Sequence, residues 1–461
     1  MRQEALGTRA AKTGSCGRPQ AAPGETKPAG PGRPTEPESA GPRPPTKPMS
    51  TVFESLFELS AWEEFYTWKK EKNHLTGKED KELSAFIEEK AWLPVLNKFR
   101  ETGDFALPEV RLIRKTGSAK KRTVYLYPQA ENMVLKIMTH LLIRKYDGLF
   151  PDNLYSFRIN TGVTKALKRL LSVKKLRQLY SYKADISDYF NSIPVENMLP
   201  LMAAALRDEP ECLQLLSQLI SERRYLDRGE LKEGEKGVMA GTPFAVFLAN
   251  LYLVSLDLEM QEKGLLYARY SDDIIVFCPT EQERDQAAGL IETRLHEAGL
   301  KVNEKKRFLT SPGEPWSFLG IKYDDGTVDI SIISRDKLKA KIRRKARALQ
   351  RWRLKKGASP EQAAKGLIRA MNRKFFDADS SHELTWTRWY FPLISTDETL
   401  KEIDSYLQYW IRALYSGHHR EKNYDLRYET MKGWGYVSLV HAWYEYRESK
   451  AAAAPNDPPQ R

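Results

Sequence analysis

The 461-residue chain is poor in sulfur: Cys16, Cys212 and Cys278 are its only cysteines, and none forms a CxxC pair. That excludes a disulfide framework and a cysteine zinc site, and it suits a reducing, cytoplasmic setting. Long apolar runs are also scarce. The longest uncharged stretch, Gly237 to Leu256, has about the length of a membrane span, but Gly241, Pro243 and Asn250 interrupt it, Asp257 and Glu259 follow it, and nothing like a signal sequence precedes it. It is expected to be a buried helix starting near Pro243, and no membrane partner is expected. Residues 1–48 contain no Ile, Val, Phe, Tyr or Trp and a single Leu, Leu6, so they cannot build a core and read as a disordered Pro/Gly-rich leader. Residues 447–461 read as a second disordered tail. No internal repeat is evident.

Basic charge is plentiful. Seventy-four Lys and Arg against 61 Asp and Glu give a formal net charge of +13, a field that attracts polyanions and makes nucleic acid the first partner to test. Hydrophobic residues, at 41%, are sufficient for a core of two or three domains. From Met49 an amphipathic pattern, Phe53, Leu56, Phe57, Trp62 and Phe65, predicts helix. Residues 49–180 then combine helices with a basic hairpin, Val110–Ile113 and Thr123–Tyr127, around Lys120, Lys121 and Arg122. Residues 181–330 alternate strands and helices, including a helix with capping-box residues Thr280 and Glu283 that ends at Gly299. Residues 331–446 read as helical and strongly basic.

Tyr270-Ser271-Asp272-Asp273 places adjacent carboxylates between two hydrophobic runs, the pattern of strand, acidic turn, strand. Aspartate is common in turns for purely local reasons, so this segment alone would be ambiguous. A second acidic strand end, Asp185, follows Tyr182-Lys183-Ala184 and precedes Ile186-Ser187-Asp188-Tyr189-Phe190. Carboxylates from separate strands are what phosphoryl transfer with two hard cations about 3.5–4 Å apart requires.

The second segment resembles polymerase motif A, and Tyr270–Asp273 resembles the YxDD motif of reverse transcriptases. Further motifs follow in order: Gly241-Thr242-Pro243 with the run Phe247–Leu253 resembles motif B, Gly299–Asn303 through Lys306 motif D, and Trp316–Gly320 the primer-grip hairpin of motif E. Lys121 and Arg122 resemble the triphosphate-gripping fingers hairpin, and Tyr155–Arg158 with Ala166 the next fingers element. Motif B departs from the usual pattern, with Ala240 where many relatives have Gln. The pattern is nearer to retron-like and defence-associated bacterial enzymes than to complete intron enzymes, since no Cys/His endonuclease motif follows.

This resemblance implies an α+β right-hand polymerase: fingers at 49–180, an antiparallel palm sheet backed by helices at 181–330, and a basic helical thumb at 331–446. It implies RNA-directed DNA polymerase activity, with Asp185, Asp272 and Asp273 catalytic and, together with Ile186, contacting two Mg²⁺ ions or Mn²⁺ in their place. Lys121, Arg122, Phe190, Gly241, Pro243 and Lys306 are its nucleotide-binding residues, with Phe190 at the position that excludes a 2′-hydroxyl. Its partners are an RNA template, a DNA or RNA primer and dNTPs, with a structured non-coding RNA as a further candidate. Template-independent synthesis on the same palm and a non-catalytic, maturase-like RNA-binding role are the alternatives; the three intact carboxylates speak against the latter.

The segment Arg335–Lys356 carries twelve Lys or Arg and one Asp, with Leu338, Ile342, Ala346 and Leu349 at helical spacing. It is expected to pack on one side and to track a nucleic-acid backbone with Arg343, Arg344, Arg347 and Arg351 on the other. The Trp- and Tyr-rich C-terminal region is expected to be core, and His418-His419 is not expected to form a metal site.

Overall fold

The computed structural model describes residues 50–71, 75, 77–114, 121–376, 385–419 and 425–452. The leader 1–48, Cys16, Lys120 and most of the C-terminal tail therefore lie outside the described residues.

Three sheets organise the chain. The first joins β1 (Glu109–Arg114), β2 (Lys121–Leu126), β4 (Arg224–Asp227) and β5 (Glu230–Glu233) in the order β2-β1-β4-β5. The second joins β3 (Tyr180–Asp185), β6 (Leu266–Tyr270), β7 (Asp273–Cys278) and β8 (Phe308–Thr310) in the order β6-β7-β3-β8, antiparallel throughout. The third is a meander of β9 (Trp316–Phe318), β10 (Ile321–Asp324) and β11 (Thr327–Ile330). The class is α+β, as expected.

The second sheet is covered on both faces, which explains why β7 is a continuous apolar run. Ile274, Val276 and Cys278 belong to a core shared with the N-terminal helices and the helix Ala245–Tyr252, while Ile275 and Phe277 enter a second core shared with the C-terminal helices. Side chains alternate faces along a strand, so five consecutive buried residues require cover on both sides. On the first of these faces the helix Glu281–Glu297 buries Ala288, Ile291 and Leu295, and the expected capping box of Thr280 and Glu283 is present. Phe277 and Tyr323 both meet Trp316, the latter stacked at 5.1 Å, which ties the second sheet to the third.

The stretch after Met49 forms two helices, Val52–Ser55 and Leu59–Glu71, where the amphipathic pattern suggested one. The first is pinned at its start: Glu209, wholly buried, accepts the Val52 N–H at 2.8 Å and pairs with Lys145 at 2.6 Å. Past β11, the helix Ile332–Lys356 buries Leu338, Ile342 and Ala346 and leaves its arginine-rich face in solvent. The helices Pro360–Phe375 and Glu398–Ser416 pack against it. Tyr390, Trp410, Tyr436 and Trp443 are core as expected, while most other described Trp and Tyr side chains of this region pack partly buried against that core and Trp352, Tyr428 and Tyr444 are exposed. No helix among the described residues is long and apolar enough to cross a membrane. Cys212 and Cys278 are buried and unpaired.

Candidate active site

The two acidic segments meet because β3 and β7 are neighbours, with Asp185 directly opposite Asp273. Tyr270 also pairs with Asp273, so Ser271 and Asp272 form a two-residue turn, with Ser271 at a φ of 59°. Positive φ in such turns matches the right-handed twist of the flanking strands. The Asp272 carbonyl accepts the N–H of Ile186 at 2.9 Å and the Asp185 carbonyl that of Asn303 at 2.8 Å, so the backbone ties together the segments bearing Asp185, Asp272 and Lys306.

Asp185 is buried and its Oδ1 pairs with Lys306 Nζ at 2.6 Å. Lys183 Nζ stands 3.3 Å from Asp273 Oδ1, yet that oxygen accepts no hydrogen bond among the described residues. Burial, reinforced by repulsion from Asp272 and Asp185, pushes the Asp273 carboxyl up to about 6 against the pull of Lys183. Burial and then Asp185 raise Asp272 as well, while Lys306 and Arg122 lower it. Three neighbouring carboxylates, one with an orphaned buried oxygen, are a donor set that a hard divalent cation would satisfy. No three His, Cys, Asp or Glu side chains among the described residues stand converged as metal ligands; Asp185 and Asp273 are engaged by ammonium groups instead.

The turn rests on buried polar groups that sequence reasoning did not single out. Ser156 Oγ accepts the Ser271 N–H at 2.9 Å and donates to Asn250 Oδ1, also at 2.9 Å; Asn250 Nδ2 returns a bond to the Ser156 carbonyl at 2.7 Å. Arg269, wholly buried, donates through Nε to Asp257 Oδ1 at 2.8 Å and through its amino groups to Asp257 Oδ2 and the carbonyls of Asn250 and Ser271. The Tyr267 hydroxyl completes the shell of Asp257 at 3.0 Å. The signal was present as a lone Asn in an apolar helix and a lone Arg in an apolar strand, both of which demand buried partners.

Around the carboxylates, Tyr189 is buried with its hydroxyl donating to the Ala249 carbonyl at 2.6 Å, whereas Phe190 is half-exposed beside Phe157, which in turn neighbours Tyr270. Of the adjacent rings, Phe190 is the one available to a ligand. The loop before the helix Ala245–Tyr252 holds it: Val238 donates to the Phe190 carbonyl at 2.9 Å and Ala240 to Asn191 Oδ1 at 2.9 Å. Gly237, at a φ of 54°, passes so close that a Cβ would lie 2.6 Å from the Phe190 carbonyl oxygen. Gly241 is similarly tight against β2, where a Cβ would meet Val124 Cβ at 2.9 Å, and the Ala240 carbonyl accepts the Tyr125 N–H at 2.8 Å. Pro243 is half-buried at the end of this loop.

Lys121 and Arg122 are both exposed on β2. Adjacent strand residues point to opposite faces, and Arg122 is the one whose charge reaches Asp272. Arg343, Arg344, Arg347 and Arg351 are exposed on the helix Ile332–Lys356; Arg343 and Arg347 border a groove against the helix Glu398–Ser416.

Residues 113–323, just under half of the chain, match the family model described as reverse transcriptase (RNA-dependent DNA polymerase). The retron Ec83 reverse transcriptase of Escherichia coli is 26% identical over 113 residues, covering 23% of this chain and 35% of that protein. An uncharacterized 91 kDa protein in the cob intron of Schizosaccharomyces pombe is 25% identical over 150 residues, 32% of this chain and 18% of its own. The chain thus spans about a third of the length of the first of these curated relatives and under a fifth of the second. Among solved structures, apo telomerase from Candida tropicalis aligns with a TM-score of 0.44 at 13% identity, over 78% of this chain and 66% of that one. The segment that matches this family model, residues 113–323, contains Asp185, Asp272 and Asp273.

Proposed function

We propose that this protein is an RNA-directed DNA polymerase that adds dNTPs to a primer 3′-hydroxyl on an RNA template. The observation that carries the reading is the in-register pairing of Asp185 with Asp273, with Asp272 at the adjoining turn, inside the matched domain. Asp185, Asp272 and Asp273, with the backbone at Ile186, would hold two Mg²⁺ ions, with Mn²⁺ as a substitute. When bound, such ions activate the attacking hydroxyl and neutralise the triphosphate and its leaving group.

The remaining roles belong to the chain's own side chains. Lys306 lies next to Asp185, and Arg122 is near enough to act on Asp272; both supply positive charge where a triphosphate would lie. Phe190, held by the loop at Gly237 and Val238, presents its ring beneath an incoming sugar. In this reading residues 49–180 are fingers, 181–330 palm and 331–446 thumb, and the arginine face of the helix Ile332–Lys356 follows a duplex backbone. The buried free cysteines fit a reducing cytoplasm. Within the wider class, the bacterial retron-like and defence-associated enzymes are the favoured relatives, and a structured RNA is a candidate partner.

Primer extension on an RNA template tests the reading, with dNTPs and rNTPs supplied in separate reactions. Template-dependent DNA products support it; RNA products, or DNA made without reference to the template, replace it with one of the alternatives.

A further inference from the structure

The groove between the helices Ile332–Lys356 and Glu398–Ser416 combines arginines that have no carboxylate partner among the described residues with half-exposed aromatic rings. Its volume is about 550 Å³, and it is lined by Arg343, Arg347, Tyr406, Tyr409, Trp410 and His419. That is within the roughly 300–1,000 Å³ of small-ligand sites.

The charge along this edge changes character partway. Arg335 and Lys339 are both neutralised by Glu402, at 3.1 and 2.9 Å. Arg343 and Arg347, the next two residues at four-residue spacing, have no carboxylate within 4.0 Å among the described residues. The facing helix changes in parallel. Ile403, Leu407, Trp410, Ile411 and Leu414 form its buried stripe, but Tyr406 and Tyr409 stand beside that stripe half-exposed, with ring planes 25° apart. The Tyr409 hydroxyl lies 3.2 Å from His419 Nδ1, and the His419 ring stands edge-on to Trp410 at 5.2 Å. The Tyr409 side chain is thereby steadied rather than free to swing.

Two guanidinium groups with no paired carboxylate among the described residues and a pair of nearly parallel phenol rings match the two parts of a nucleotide. Arginine recognises phosphate with its planar fork, and any base can stack on an aromatic face. We propose that this groove binds an unpaired nucleotide of the RNA template or of an RNA held with it, the phosphate on Arg343 and Arg347 and the base against Tyr409. The inference rests on the polymerase reading for the identity of the strand. It divides the basic helix in two: Arg344 and Arg351 face solvent and meet a duplex backbone, whereas Arg343 and Arg347 capture a single-stranded flank. An acidic peptide would use the arginines but has no base to stack on the half-exposed phenol rings, so the aromatic pair favours a nucleotide.

The test uses the full chain and a hairpin RNA–DNA duplex, either blunt or with a three-nucleotide RNA extension containing 2-aminopurine. Binding is read by anisotropy and stacking by fluorescence quenching. The unaltered protein should bind the extended hairpin at least about fivefold more tightly than the blunt one and quench the probe. Tyr409→Ala should lose both effects, Tyr409→Phe should keep both, and Arg343→Ala with Arg347→Ala should lose the affinity difference. Thermal melts of each variant establish that it is folded. Equal affinity for the two hairpins, an unquenched probe, or a Tyr409→Ala protein that retains the preference would overturn the assignment. Primer extension by the unaltered protein is measured alongside. A chain that extends primers without preferring the overhang loses only the groove, and one that quenches the probe without extending primers loses only the polymerase reading.

Discussion

Arg269 and Asp257 form a wholly buried ion pair whose guanidinium also reaches the carbonyl of Ser271, the residue next to Asp272. The pair links the turn carrying the candidate catalytic carboxylates to the helix Val254–Glu262. Removing the charge of one partner strands the other in the core. Asp257→Asn is therefore expected to cost about 3–5 kcal/mol of stability, read as a lower urea midpoint. Primer extension measured well below that midpoint should fall further than the unfolded fraction explains, because Ser271 loses its anchor. A variant with unchanged midpoint and activity would show that the pair bears neither load.

The same pair shows what sequence reading could and could not reach. The acidic turn was legible because two adjacent carboxylates interrupt two hydrophobic runs, and the capped helix at Thr280 because its signal is local. The pairing of Asp185 with Asp273 spans 88 positions and follows from strand order, which local pattern does not encode. Ser156, Asn250 and Arg269 escaped notice for a related reason. A lone Asn or Arg in an apolar element calls for buried partners but does not name them, and only the fold brings Ser156 to Ser271 across 115 residues. The break between the helices Val52–Ser55 and Leu59–Glu71 has no Gly or Pro to mark it, and the tie to Glu209 that fixes the first helix is again long-range.

Phe190 is expected to govern sugar choice. With Tyr189 committed to the core, the ring that a nucleotide can meet is that of Phe190. Phe190→Val should leave dNTP extension measurable and raise rNTP use relative to dNTP by on the order of tenfold, since exclusion by overlap is relieved when the ring shrinks. Extension of one primer–template by each nucleotide type decides it. Retained activity with an unchanged preference would remove Phe190 from this role.

Arg344 and Arg351 should set affinity for duplex by charge alone. Replacing both with Gln is expected to weaken binding uniformly across sequences and to reduce the magnitude of the log–log salt slope by up to about two. Titrations over a range of salt concentrations supply the slope, and an unaltered value would place the two arginines away from the duplex.

His140 should make the fold acid-sensitive. It lies against Phe65 and Trp68 with Nε2 buried, and burial, reinforced by Arg144 and Lys69, lowers its pKa to about 4. A histidine with a folded pKa below its unfolded value near 6.5 adds stability above that pH and loses it as pH falls toward 4. The loss is at most about 3 kcal/mol. His140→Leu should narrow the difference between urea midpoints at pH 7 and pH 4.5, and an equal difference in both proteins would clear His140 of the effect.

The account centres on the carboxylates at the ends of β3 and β7, and Asp272→Ala tests it most directly. The measurement is dTMP incorporation on a poly-rA/oligo-dT substrate with Mg²⁺, alongside a thermal melt and a binding titration on the same preparation. The expected result is a folded protein that binds the primer–template normally and incorporates nothing; full incorporation by the folded variant would contradict the assignment of the site.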